Sequence, residues 1–238
     1  MKKAIILISG GLDSGVVSAI AKEQNYELFG LSFDYGQRHK IEIECAKNIA
    51  NFFSFKEHKI INIDLRVFGK SALTDNIEVP KSQLDFNRNQ QVKNDIPITY
   101  VPARNTIFLS YCLAFCEVVN AFDIFIGVNA IDYSGYPDCR EDFIEAFTNM
   151  ANLACASTIN SQNKIKIHTP LSGMDKKTII ETGRNLNFDF GLTHSCYDPE
   201  IIDGKIYSCG QCDSCRIRLK GFSDANIGDK ILYKKNKN

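Results

Sequence analysis

Two groups of residues in this chain combine types and spacings that could do chemistry. The first is Ser9-Gly10-Gly11-Leu12-Asp13-Ser14, which interrupts the apolar run Ala4-Ile5-Ile6-Leu7-Ile8. Glycines in a tight turn let backbone N–H groups approach a ligand with no Cβ in the way. The hydroxyls of Ser9 and Ser14 and the first free N–H groups of a following helix then face one spot. Such a nest favours an anion, above all a phosphate group. The second group is Cys196, Cys209, Cys212 and Cys215, in the pattern Cys-x12-Cys-x2-Cys-x2-Cys. Two-residue spacers let successive thiolates converge on one ion. A fourth thiolate closes a tetrahedral site with no position left for water, so the spacing predicts one structural zinc per chain. The run Cys-x2-Cys-x2-Cys also opens the bacterial iron–sulfur pattern, but here the fourth cysteine lies upstream and no Cys-Pro follows. Lys205, Arg216 and Arg218 are placed to offset part of the cluster's negative charge.

Hydrophobic periodicity predicts the elements that must hold these groups. Residues 4–8 read as a buried strand, and Val16, Val17, Ala19 and Ile20 as the apolar face of the helix after the turn. Further strands are expected at 26–35, 58–65, 122–128 and 165–167. Helices are expected at 37–53, 106–119, 141–155 and 175–186. Strands alternating with helices imply an α/β fold, a parallel sheet with flanking helices, whose ligands lie beyond the carboxyl ends of the strands. Residues 81–95 are polar and rich in Asn and Gln, a long loop that is one candidate for a substrate lid. Residues 129–140 are dense in polar and turn-forming types directly after the fourth strand. From about residue 188 the pattern changes to short turns and clustered cysteines. The expected division is therefore 1–187 and a small zinc-binding unit, 188–238, packed on it.

Composition narrows the function. The 238 residues are 44% hydrophobic, enough for a real core, and 28 basic residues balance 28 acidic ones. A chain built to grip nucleic acid would be basic overall or carry a basic face. Only Lys230, Lys234, Lys235 and Lys237 are locally basic, which reads as a solvated terminus. No apolar run approaches the about 18 residues of a membrane span, and no signal-peptide pattern opens the chain, so a cytoplasmic location is expected. Nine cysteines in that compartment argue for metal ligands and core thiols. Cys45, Cys112, Cys116 and Cys155 are expected to pack in the core. Cys139 is expected to pack as well, because no base lies near it in sequence.

The loop at 9–14 lacks the Gly-Lys-Ser/Thr ending of a Walker A motif and the spacing of the dinucleotide fingerprint. It resembles the PP-loop of the ATP-pyrophosphatase superfamily. Members of that superfamily cleave ATP between its α- and β-phosphates, transfer AMP to a substrate oxygen and hold the leaving pyrophosphate in this loop. The resemblance implies an ATP site at Ile8, Ser9, Gly10, Gly11, Leu12, Asp13, Ser14 and Gly15, used with Mg²⁺. Asp13 either helps hold that ion or caps the helix.

A closer resemblance rests on five further stretches in order. They are Phe33-Asp34-Tyr35-Gly36-Gln37-Arg38-His39, Val101-Pro102-Ala103-Arg104-Asn105, residues 127–140, Thr193-His194-Ser195-Cys196-Tyr197 and Cys209-Gly210-Gln211-Cys212-Asp213-Ser214-Cys215-Arg216. With the PP-loop they are similar to the QueC family of 7-cyano-7-deazaguanine synthases. This resemblance implies a ligase acting in queuosine biosynthesis, a tRNA modification pathway, on a free base and without direct contact to nucleic acid. The acid 7-carboxy-7-deazaguanine would be adenylated and aminated by ammonia, and the resulting amide adenylated again and dehydrated to the nitrile. It also implies a homodimer. The catalytic candidates are Asp13, Ser14, Arg38 and Lys176, with Arg38 or Lys176 meeting phosphate oxygens. Adenine would lie near Ser32 and Asp34. For the base, Asn129 and either Asp132 or Asp138 would hydrogen-bond, Tyr133 or Tyr136 would stack, and Arg104 or Arg140 would meet the carboxylate. Two other readings stay open at this point: a PP-loop enzyme acting directly on RNA, and a non-enzymatic zinc-ribbon module that senses nucleotides.

Overall fold

The computed structural model describes residues 1–37, 40–81, 96–129, 136–159 and 161–234. Five strands form one all-parallel sheet: β1 (Lys3–Leu7), β2 (Glu27–Asp34), β3 (Glu57–Asn62), β4 (Asp123–Ile126) and β5 (Lys166–His168). Their spatial order is β3-β2-β1-β4-β5. Around them lie α1 (Leu12–Glu23), α2 (Ile41–Phe52), α3 (Arg104–Val119), α4 (Glu141–Ala154), α5 (Ala156–Ile159) and α6 (Lys176–Asn185).

The apolar run of β1 is continuous because both faces of the sheet are covered. Ile5 pairs in register with Phe29 and with Ile124. These three pack with Leu31, Phe33 and Ile126 against Leu109, Cys112 and Cys116 of α3. Ala4, Ile6, Leu28 and Phe125 turn to the other face, against Val16 and Val17 of α1 and Ile179 and Ile180 of α6. Alternate residues thus serve two cores, as the two-residue period of a strand requires. From β1 the chain winds outward to β2 and β3, and the order reverses at the β1–β4 boundary. A crevice opens at the carboxyl end of such a boundary, and the Ser9–Ser14 turn falls there.

The strands end earlier than the periodicity predicts, at Asp34, Asn62 and Ile126, and the apolar residues beyond them line a cavity or pack under a loop. Helix α2 starts at Ile41, later than expected, because Gly36 takes a left-handed turn (φ +84°) first. Helix α6 begins where Asp175 caps it, its carboxylate accepting from Thr178 N at 2.8 Å.

The C-terminal region carries β6 (Glu200–Ile202), β7 (Lys205–Ser208), α7 (Asp213–Asp224) and β8 (Leu232–Tyr233). β6 and β7 pair antiparallel, and β8 lies parallel to β7. Phe188, Phe190, Phe222 and Ala225 belong to the same apolar cluster as Val16 and Ile6. α7 crosses α6 so closely at Gly221 that a Cβ there would lie 2.5 Å from the Lys176 side chain. Arg218 of α7 is nearly fully buried. It grips Asp229 with Nε at 2.7 Å and Nη2 at 2.9 Å, and Nη1 donates to Thr193 Oγ1 at 2.7 Å and Ser195 Oγ at 3.1 Å. Tyr233 adds its hydroxyl to Asp229 at 2.7 Å. The expectation that Arg218 offsets the thiolate charge is therefore corrected: its charge is met by Asp229, and it ties three chain segments together. Arg216 likewise turns to a carbonyl, that of Gln211 at 3.0 Å, and Lys205 is exposed. No helix among the described residues is long and apolar enough to cross a membrane.

Candidate active site

One concave site among the described residues is lined by residues that lie far apart in the chain, and the Ser9–Ser14 turn forms one end of it. Gly10 sits at φ +84°, and a Cβ there would lie 2.1 Å from the Glu42 carbonyl oxygen, so only glycine lets α2 approach the turn. Ser14 Oγ donates to Gly11 O at 3.0 Å and accepts from Ser9 N at 3.3 Å, while Ser9 Oγ accepts from Gly11 N at 3.3 Å. The two hydroxyls lie 3.2 Å apart. Gly11 is the N-cap of α1 and brings no side-chain cap. The first-turn N–H groups of α1 are therefore left to a ligand, and the helix dipole favours an anion there.

Asp13 stands inside the first turn and is not the cap. Its Oδ1 accepts from Lys176 Nζ at 2.6 Å across 163 residues of sequence. This pair fixes the start of α6 against the start of α1. Asp13 Oδ2 has no protein partner among the described residues. His194 closes the turn from behind, its backbone N donating to Gly10 O at 2.9 Å.

Ser32 and Asp34 do not line the cavity, whereas Phe33, Tyr35 and Gln37 between and beyond them do. The two-residue period explains the difference, since Ser32 and Asp34 point to the opposite face from Phe33. Ser32 Oγ donates to Ile8 O at 2.6 Å and lies 2.7 Å from His58 Nε2. With its only proton committed to a carbonyl, the hydroxyl must accept from His58, which fixes the Nε2–H tautomer. Burial, and then Lys47, hold the His58 imidazolium below its ordinary range, consistent with a neutral ring. Asp34 pairs with Lys40 at 3.2 Å.

The other end of the cavity is built around Arg104, the first residue of α3. Its guanidinium lies 6.0 Å from the Tyr35 ring centroid. Burial opposes its charge, but Tyr35, Tyr136, Asp138 and Cys139 outweigh burial and hold the guanidinium above its ordinary value. The preceding residue, Ala103, is left-handed and offers no cap. Asp138 supplies it from the other side of the cavity: Oδ2 accepts from Asn105 N at 2.9 Å, and Asn105 Nδ2 donates to Asp138 O at 3.0 Å. Asp138 thus lies behind the cavity wall that Tyr136, Cys139, Asn105 and Arg104 form. Tyr136 is held by Thr99 Oγ1 at 2.8 Å, and Asn129 donates to Met174 O at 2.9 Å. Arg140 is exposed and is not brought to the site. Arg38, Asp132, Tyr133 and most of the 81–95 loop lie outside the described residues.

Cys139 lines the cavity as a neutral thiol, pushed up to about 12 by burial, which agrees with a packing role. Cys112, Cys116 and Cys155 lie in the core as expected. Cys45 does not: it is half-buried beside the Gly10 turn.

The four remaining cysteines are buried, and their sulfur atoms all lie within 4.8 Å of one another. Thiolates about 2.3 Å from a tetrahedral ion stand about 3.8 Å apart, so the cluster needs only a small contraction to hold one. Backbone N–H groups already point at the sulfurs. Cys209 N and Asp198 N donate to Cys196 Sγ at 3.1 and 3.3 Å, and Cys212 N donates to Cys209 Sγ at 3.3 Å. Thiol hydrogen bonds from Cys196 and Cys215 hold Cys212 far below the ordinary thiol range. Cys196 also lines the cavity, next to His194 and Ser195.

Sequence reasoning missed Glu42, which lines the cavity between the turn and Arg104. Burial raises its carboxyl to about 7, with Arg104 pulling the other way. A signal existed. Glu42 stands at the head of the stripe Ala46, Ile49, Phe53, where helical spacing calls for a hydrophobe.

The family model described as "Queuosine biosynthesis protein QueC" matches residues 3–226. A curated 7-cyano-7-deazaguanine synthase from Syntrophus aciditrophicus (strain SB) is 56% identical over 228 residues, 96% of each chain. Another of that name, from Desulfatibacillum aliphaticivorans, is 53% identical over 232 residues, 98% of this chain and 97% of its own. A solved structure of NMN synthetase from Francisella tularensis aligns over 82% of this chain and 66% of its own, at a TM-score of 0.48 and 17% identity.

Proposed function

The chain belongs to the QueC family, and from that premise we propose that it converts 7-carboxy-7-deazaguanine and ammonia to 7-cyano-7-deazaguanine, using ATP and releasing AMP and pyrophosphate. A carboxylate is a poor electrophile because oxide does not leave. Adenylation makes that oxygen a leaving group, ammonia gives the amide, and a second adenylation on the amide oxygen permits dehydration. The observation that carries the reading is one cavity with an anion nest at one end and the half-buried guanidinium of Arg104 at the other. The nest of residues 8–15 takes the phosphates, its N–H groups stabilising charge that grows on the departing pyrophosphate. Ser14 helps shape it, and Lys176 and Arg38 are the cations assigned to phosphate oxygens. Arg104 meets the substrate carboxylate. Asn129 and Tyr136, which line the cavity or its edge, are assigned to the base, and Asp132 and Tyr133 are assigned to it from the sequence alone. Asp138 acts one step back, by holding the α3 terminus and hence Arg104.

Mg²⁺ keeps most of its waters and needs only one or two carboxylate oxygens, so Asp13 Oδ2 is a fitting protein ligand. Bound with ATP, the ion would neutralise phosphate charge. We assign zinc to Cys196, Cys209, Cys212 and Cys215, one per chain, because an all-thiolate tetrahedral set suits it. Elemental analysis should return about one zinc, and iron with a brown protein would overturn the assignment. A homodimer in the cytoplasm completes the reading. Exposed Tyr111 and Val118 on α3 and Met150 and Leu153 on α4 support such a contact. The test of the reaction is product analysis with ATP, the acid and ammonium. Nitrile with AMP and pyrophosphate supports it, and ADP with phosphate sinks the adenylation mechanism.

A further inference from the structure

The reaction proposed above needs two things at the acid end of the cavity: a cation for the substrate carboxylate and a way to bring ammonia in with its lone pair free. Arg104 serves the first. Among the described residues the cavity has two lining carboxylates, Asp13 and Glu42. Asp13 is engaged by Lys176 at the phosphate end. The Glu42 side chain has no hydrogen bond or ion pair among the described residues, although it stands on the inner face of α2. An unpaired carboxylate facing a cavity is costly unless it has work to do there.

Resting on the adenylating reading, we infer that Glu42 binds ammonium in the cavity and takes the proton that frees ammonia for attack. Ammonium is the dominant form of the nucleophile at neutral pH and has no lone pair. One N–H proton passes to a Glu42 oxygen, leaving neutral ammonia. Its lone pair forms the C–N bond to the acyl carbon, and the bond from that carbon to the AMP oxygen breaks, its electron pair leaving with AMP. The attacking nitrogen, now cationic, sheds one more proton to cavity water, and the products are the amide and AMP. The groups facing Glu42 suit this task. Tyr35 at the end of β2 presents an aromatic ring, and Arg104 of α3 is the cation that would hold the acid alongside. Cys45, on the same helix as Glu42, is a neutral thiol pushed up to about 11 by burial. Arg218 of α7 is committed to Asp229. A carboxyl raised to about 7 by burial is matched to accepting a proton near neutral pH.

The experiment uses the full zinc-loaded chain with Glu42→Gln and two readouts. The first is pyrophosphate exchange into ATP, dependent on 7-carboxy-7-deazaguanine and run without ammonium. The second is amide and nitrile formation as ammonium chloride is varied. E42Q should keep exchange within about threefold of wild type while losing about 100-fold or more in ammonium-dependent turnover, with a higher KM for ammonium. The wild-type rate should fall as pH drops through 7, and the residual E42Q rate should lack that step. Glu42→Asp, which keeps the carboxylate, should recover at least about a tenth of the wild-type ammonium-dependent rate. Weak exchange in E42Q would assign Glu42 to the base or to ATP and overturn the inference. So would unchanged ammonium kinetics, or an E42D variant no better than E42Q. Absence of exchange in the wild type would instead overturn the adenylation reading itself.

Discussion

Two buried ion pairs hold this molecule together, and they differ in what they leave over. Arg218 and Asp229 are both almost without exposure, at 2% and 6% of their side chains. Both carboxylate oxygens and the whole guanidinium fork are used inside the protein, with Thr193, Ser195, Phe190 and Tyr233 completing the set. Lys176 and Asp13 are about 4.5 and 2.8 times as exposed as Arg218 and Asp229 by the same measure, at 9% and 17%, and one Asp13 oxygen remains uncommitted among the described residues. The first pair is the more deeply removed from water, so its charges depend more on each other. A pair whose donors and acceptors are all satisfied is a strut, whereas a pair that keeps an acceptor pointing into a cavity is poised for a ligand.

The largest expected effect tests the strut. Arg218→Met leaves Asp229 buried without its partner, and chemical denaturation should show a loss of about 3–5 kcal/mol. A loss under about 1 kcal/mol would erase the contrast between the two pairs. The double variant Arg218→Met with Asp229→Leu should recover part of the loss, because no charge is then stranded. Lys176→Met tests the working pair. Acid-dependent pyrophosphate exchange should fall about 100-fold, near 3 kcal/mol of transition-state stabilisation, while stability falls by less than for R218M. An equal fall in both quantities would make Lys176 a strut as well.

Glu42 provides a third case, a carboxylate with no hydrogen bond or ion pair among the described residues and only the more distant pull of Arg104. Its folded-state carboxyl is raised from 4.5 to about 7. The native protein therefore holds a proton that the unfolded chain has lost between those values, and stability falls as pH rises through that window. Glu42→Gln removes the penalty. The variant should be about 1–3 kcal/mol more stable than wild type at pH 8 and indistinguishable from it at pH 4. Identical pH profiles for the two proteins would show that the carboxylate pays nothing for its position. The smallest effect belongs to Ser32, which sits behind the turn and outside the cavity. Ser32→Ala should cost about 1–2 kcal/mol by orphaning Ile8 O and the His58 N–H, with little change in turnover.

Much of this was legible in the sequence, and the rest was hidden for physical reasons. The parallel sheet, its helices, the glycine-rich turn and the four-cysteine cluster announce themselves through local patterns: period, glycine spacing and cysteine spacing. What fails is facing. Ser32 and Asp34 sit in the right strand end, yet the alternation of β2 sends Phe33 and Tyr35 to the cavity. Arg140 and Arg104 look equally fit for a carboxylate, and only the packing of α3 against the 136–139 turn shows that Arg104 lines the cavity while Arg140 is exposed. Asp138 reads as a base-recognising acid because no local pattern shows that Ala103 leaves a helix terminus uncapped 33 residues away. The role of Arg218 depends on Asp229 and Thr193, contacts that spacing within the cysteine cluster does not encode.

The hydrogen bond from His194 to Gly10 carries a consequence for synthesis. The Ser9–Ser14 turn is made within the first dozen or so residues, but its rear wall comes from a segment fixed in place by Arg218, Asp229 and the cluster containing Cys196. A nascent chain on the ribosome therefore displays a glycine-rich turn that lacks its backing until nearly the whole polypeptide has emerged.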